Sequence, residues 1–73
     1  MHIVYIDHAK KRMKERGLSE TEVEHVLAFP SYAKKSVFGR WEAAGQVNER
    51  QIKVIFEKEK FEKENYIKII TVM

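Results

Sequence analysis

His8-Ala-Lys-Lys-Arg-Met-Lys-Glu-Arg-Gly17, continued by Leu18-Ser-Glu-Thr-Glu-Val-Glu-His-Val-Leu27, decides the fold of this chain. The stretch reads as two short helices joined by a glycine. Ala9 and Met13 mark the buried side of the first helix at 100° per residue, and Val23, Val26 and Leu27 mark that of the second. Gly17 suits the left-handed position just past a helix end. Ser19 and Glu22 have the spacing of a capping box, with Leu18 placed to staple onto Val23. Phe29-Pro30 ends the second helix, because the residue before a proline avoids helical geometry. Asp7 is the expected N-cap of the first helix.

The segments on either side are strands. Ile3 to Ile6 is a β-branched and aromatic run. Tyr32 to Phe38 and Arg40 to Val47 flank a turn at Gly39. From Gln51 to Glu57 the chain alternates, with Ile52, Val54 and Phe56 on one face and Gln51, Lys53, Ile55 and Glu57 on the other. Tyr66 to Met73 is apolar at nearly every residue and reads as a central strand. Glu57 to Asn65, almost wholly charged, is expected to form a long hairpin tip. The architecture expected is α+β and two-layered, in the order β-α-α-β-β-β, with a helical hairpin on a mostly antiparallel sheet. The 73 residues make one domain, 1–73.

A chain this short buries only ~60–65% of the surface its unfolded form exposes. A shallow groove or a partner surface is therefore expected to do its work, and pairing with a second copy or another protein would add stability. Cysteine is absent, so disulfides and thiolate metal sites are excluded. His2, His8 and His25 share no metal-ligand spacing, and no glycine-rich phosphate loop or nucleophile elbow occurs, so no metal or cofactor is expected. No apolar run approaches the ~20 residues of a membrane span. The N-terminus lacks the pattern of a signal peptide, and a cytoplasmic location is expected.

The net charge of +3 is unevenly spread. Residues 8–18 hold Lys10, Lys11, Arg12, Lys14 and Arg16 against Glu15, a balance of +4. Residues 19–30 are acidic through Glu20, Glu22 and Glu24, and Lys34, Lys35, Arg40, Arg50 and Lys53 make the next segment basic again. On the first helix, Arg12 and Arg16 fall close beside Ala9 and Met13, with His8 at the border. His8 and Arg12, like Arg12 and Arg16, are spaced to meet on one face. Two explanations stand. The arginines pair with Glu15, Glu22 or a strand carboxylate and clamp the helices, with His8 bonded to backbone. Alternatively, their heads reach water and bind phosphate, for which a guanidinium fork is suited, and His8 serves as a general acid or base. Lys10, Lys11 and Lys53 would add charge for nucleic acid, and Trp41 could stack on an unpaired base or fill the core.

His8-Ala-x-x-Arg12-Met13-x-x-Arg16-Gly17-Leu18-Ser19, followed by Val23 and Pro30, resembles a family of short domains of unknown function grouped with the RelE/ParE-type toxin superfamily. Gly39-Arg40-Trp41, the Ile52 to Phe56 strand and the closing Ile-Thr-Val continue the likeness. The resemblance implies a RelE-like fold and a place in a toxin–antitoxin type system, with RNA or the ribosome as target and an antitoxin-like protein as partner. It implies a metal-independent endoribonuclease that moves a ribose 2′-OH onto the adjacent phosphate. His8 would be its acid or base, and Arg12, Arg16 and Arg40 its charge stabilisers. ParE-type members act on gyrase, so the fold alone does not fix the target. A non-catalytic RNA- or protein-binding module is the alternative.

Overall fold

The computed structural model describes residues 2–73. Strand β1 (His2–Tyr5) leads into α1 (Asp7–Arg16) and α2 (Glu20–Ala28), and four strands follow: β2 (Tyr32–Lys35), β3 (Trp41–Val47), β4 (Arg50–Phe61) and β5 (Glu64–Val72). The chain is α+β as expected, but its order is β-α-α-β-β-β-β. The segments on the two sides of Gly39 are separate strands, so the sheet has five strands in the order β1-β5-β4-β3-β2. Only β1 and β5 pair in parallel; the other three pairings are antiparallel. The apolar segment at the end of the chain thus lies inside the sheet, between β1 and β4.

Both helices lie on one face of the sheet, α1 over β5 and α2 over β3 and β4. Ala9 and Met13 from α1, with Val23 and Val26 from α2, meet Ile52, Val54, Phe56, Ile67, Ile69 and Val72 in one core. Gly17 ends α1 at φ 66°, with its N–H donating to the Lys14 carbonyl. The capping box on α2 is complete: the Glu22 N–H donates to Ser19 Oγ at 3.2 Å, and the Ser19 N–H donates to the Glu22 carboxylate at 2.9 Å. Leu18 and Val23, the two ends of the staple, are both buried.

Three further sequence expectations are corrected. Ile6, not Asp7, is the N-cap of α1 and makes no side-chain cap bond. Asp7 sits one residue further in, where its carboxylate faces the positive end of the helix dipole. The strand starting at Tyr32 stops at Lys35, because Phe38 and Gly39 both take left-handed backbone, at φ 59° and 71°, and reverse the chain. The charged segment from Glu57 is mostly strand. β4 runs on to Phe61 and β5 resumes at Glu64, since opposite charges match across the ladder, with Lys68 Nζ 3.3 Å from Glu57 and 3.7 Å from Glu59.

Candidate nucleic-acid interface

Helix α1 carries its charge on the side its apolar residues leave to solvent. Ala9 and Met13 anchor it to β5, which turns His8, Lys10, Lys11, Lys14, Glu15 and Arg16 outward and leaves Arg12 half-buried. The Arg12 stem follows the core edge and its head surfaces, as long basic side chains do. Among the described residues its one ion-pair partner is Glu15 on the same helix, with Nη1 and Oε1 3.7 Å apart and both side chains partly open to water. Such a pair contributes well under about 1 kcal/mol. Among the described residues, no ion pair engages Lys10, Lys11, Lys14 or Arg16. Arg16 also lines a shallow depression of about 250 Å³ with Leu18, Arg50, Gln51 and Ile52, so an arginine of β4 borders the last turn of the helix, within electrostatic reach of Glu22.

The opposite face of the sheet, free of helices, is electrostatically different. Its cations are matched by carboxylates. Glu42 accepts a 2.7 Å hydrogen bond from the Tyr32 hydroxyl, with Lys34 at 3.8 Å and Lys53 at 3.9 Å. The bond to Glu42 holds the Tyr32 phenol above its usual range. Glu57 receives Lys68 and, at 3.7 Å, Arg40 Nε, a buried atom that has no hydrogen-bond partner. The Lys68 ammonium is raised above the ordinary lysine value, first by its hydrogen bond to Glu57.

The residues singled out in the sequence therefore fall into three places. His8, Lys10, Lys11, Arg12 and Arg16 share α1. Arg40 and Lys53 lie on the far face of the sheet, among Glu57 and Glu42. Trp41 points to the helix side, in an apolar groove of about 550 Å³ that Leu27, Phe56 and Ile67 also line. Lys58 Nζ stands 4.0 Å from its ring centroid and Lys35 Nζ 5.5 Å, so ammonium groups of the same chain cover that ring. Arg50 is the residue whose place beside Arg16 was not read from the sequence. It is 34 residues further on, and only the return of β4 past the end of α1 brings it there.

A two-layer α+β protein with one polycationic helix is what the fold and the charge distribution define. Over residues 5–73 the chain matches the family model described as a domain of unknown function, DUF4258, and it belongs to that family. No curated protein and no solved structure gives a significant match.

Proposed function

We propose that this protein is an RNA-directed member of a toxin–antitoxin type system with a RelE-like fold, and that it holds RNA phosphates on the outer side of α1. One contrast carries the reading: the cations of α1 lack carboxylate partners across the fold, whereas those of the open sheet face have them. Unpaired guanidinium and ammonium groups are ready to replace the counterions of a phosphate chain. The Arg16–Arg50 depression gives one phosphate two guanidinium neighbours. An antitoxin-like protein would mask such a surface, and the cytoplasm is where RNA or the ribosome would be met.

Binding is the better-supported half of this proposal. Cleavage is a second reading, favoured by His8, which is exposed one turn before Arg12. In that reading His8 takes or gives the proton of the 2′-OH transfer, and Arg12 and Arg16 stabilise the crowded phosphate. Arg40 would contact a different stretch of RNA, because the sheet stands between it and His8.

The test is fluorescence anisotropy with a labelled single-stranded RNA across a salt series. Each phosphate contact adds about 0.7 to the slope of log affinity against log salt. The charge-reversed variant Lys10→Glu, Lys11→Glu, Lys14→Glu is expected to reduce the slope by about 2. Binding that ignores these changes but disappears in Lys53→Ala or Arg40→Ala would refute the α1 interface. Fragments produced by the wild type and absent with His8→Ala would support cleavage.

A further inference from the structure

We propose that the free edge of β2 is a self-association surface, on which two copies of this chain pair antiparallel about a two-fold axis at Ala33 to form one continuous sheet. This inference is independent of what α1 binds.

Strand β2 closes one side of the sheet, and all four of its residues are exposed. The Ser36 N–H donates to the Arg40 carbonyl at 2.8 Å, and Lys34 stands opposite Glu42. Antiparallel ladders alternate, so Tyr32 and Lys34 turn their backbone groups inward to β3, while Ala33 and Lys35 turn theirs out to solvent. An unpaired row of this kind is a template for another strand.

Symmetry narrows the register. A two-fold axis perpendicular to a sheet keeps each residue on its own face, so only residues of equal parity can stand opposite one another. Two registers centre on β2. An axis at Lys34 sets two ammonium groups against each other, which is unfavourable. An axis at Ala33 sets Lys34 opposite Tyr32 of the second copy, and the new ladder stops there because the Ser31 N–H turns inward to the Ala44 carbonyl at 2.7 Å. Lys34 already lies 5.5 Å from the ring of its own Tyr32, so that ring accepts an ammonium group. The same register joins Ala33 to its counterpart through the outward N–H and C=O groups.

The ends of β2 supply the apolar contact. Phe29, just before the strand, is 71% exposed, and Val37 and Phe38, just after it, are 67% and 86% exposed. Phe29 and Val37 lie outside the strand itself, and the Ala33-centred register brings the Phe29 end of each copy's β2 beside the Val37–Phe38 turn of the other. The four phenylalanine rings of the pair carry about 500–800 Å² of exposed surface. Full cover of these rings, with Val37, Tyr32 and the strand backbone, would bring the contact to the ~1,000 Å² at which specific interfaces begin. Phe38 also occupies a left-handed position that a bulky side chain disfavours, while its ring stays 86% exposed.

Sedimentation equilibrium of the intact chain from about 1 μM to about 200 μM tests the proposal. The wild type is expected to dimerise across this range. Ala33→Pro removes the outward amide without touching the β3 ladder, and is expected to weaken the dimer at least tenfold. Val37→Asp sets a carboxylate against Phe29 and is expected to do the same. Circular dichroism shows whether each variant remains folded, and Val37→Asp decides the matter should Ala33→Pro fail to fold. A wild-type chain that stays monomeric throughout overturns the proposal, even if it captures an extended peptide from another protein. So does a dimer that Val37→Asp leaves unchanged.

Discussion

Replacing Phe38 with asparagine should make this protein more stable, although it removes a large apolar side chain. Phe38 and Gly39 are the central residues of a tight turn closed by the Arg40 N–H donating to the Val37 carbonyl at 3.1 Å. Both have positive φ, the geometry that favours Asn-Gly. The chain follows that preference at its other such turn, where Asn48 adopts φ 50°. A left-handed backbone costs a residue with a Cβ roughly 1–2 kcal/mol, and asparagine tolerates it best among non-glycine residues. The loss is small. Full burial of a phenylalanine is worth about 2–3 kcal/mol, and this ring is 86% exposed, so about 0.3–0.4 kcal/mol is forfeited. The net gain is about 0.5–1 kcal/mol. At about 2.1 cal/mol/K per residue, unfolding entropy is ~0.15 kcal/mol/K for this chain, so Tm should rise by about 3–7 °C. Thermal denaturation followed by circular dichroism at low protein concentration measures the change in the monomer. Phe38→Ala is the control: it loses the same ring but gains little at the backbone, and should melt below Phe38→Asn. A Tm for Phe38→Asn at or below that of the wild type, or equal to that of Phe38→Ala, would refute the reasoning.

Two further outcomes are expected. The Glu22 carboxyl is held below the usual carboxylate range, chiefly by the backbone N–H of Ser19. Its folded-state pKa is below the unfolded one, so the stability it contributes is present above the unfolded value and disappears as pH falls through the folded value. Acid titration of Glu22→Gln, followed by urea midpoint, should show a shallower loss of stability below about pH 4.5 than the wild type. Gly45 is buried under α2, where an added Cβ would lie 3.6 Å from Val26 Cγ1 and 3.5 Å from the Phe29 carbonyl oxygen. Gly45→Ala fits within ordinary contact. Gly45→Leu must displace the helix and should cost about 1–3 kcal/mol, visible as a lower urea midpoint.

What could be read in advance was local. The capping box, Gly17 and the stop at Pro30 are each fixed by a few neighbouring residues, and all three are present. The Ile52, Val54, Phe56 alternation named the face of β4 that lies in the core. What escaped depends on residues distant in sequence. Ile55, on the helix-free face, is only 8% exposed because Glu42 and Thr71 flank it across the ladders. The division of the basic residues between two faces followed from alternation once β3 and β4 were paired, but no helical wheel places Arg40 relative to His8. The end of β2 was missed because Phe38 breaks the preference of its own turn.

The pairing of β1 with β5 has a consequence for how the molecule comes into being. His2 meets Tyr66 and Ile3 meets Ile67, each pair separated by 64 positions along the chain. A growing polypeptide therefore makes α1 long before it makes the strand that Ala9 and Met13 will cover. Until then the leading helix has no floor beneath it, and helices of this length are only marginally stable alone in water. Closure of the longest loop must come late, and folding should be slow for a protein of this size. During that delay the cations of the leading segment are displayed on a chain that has not yet gained its native core.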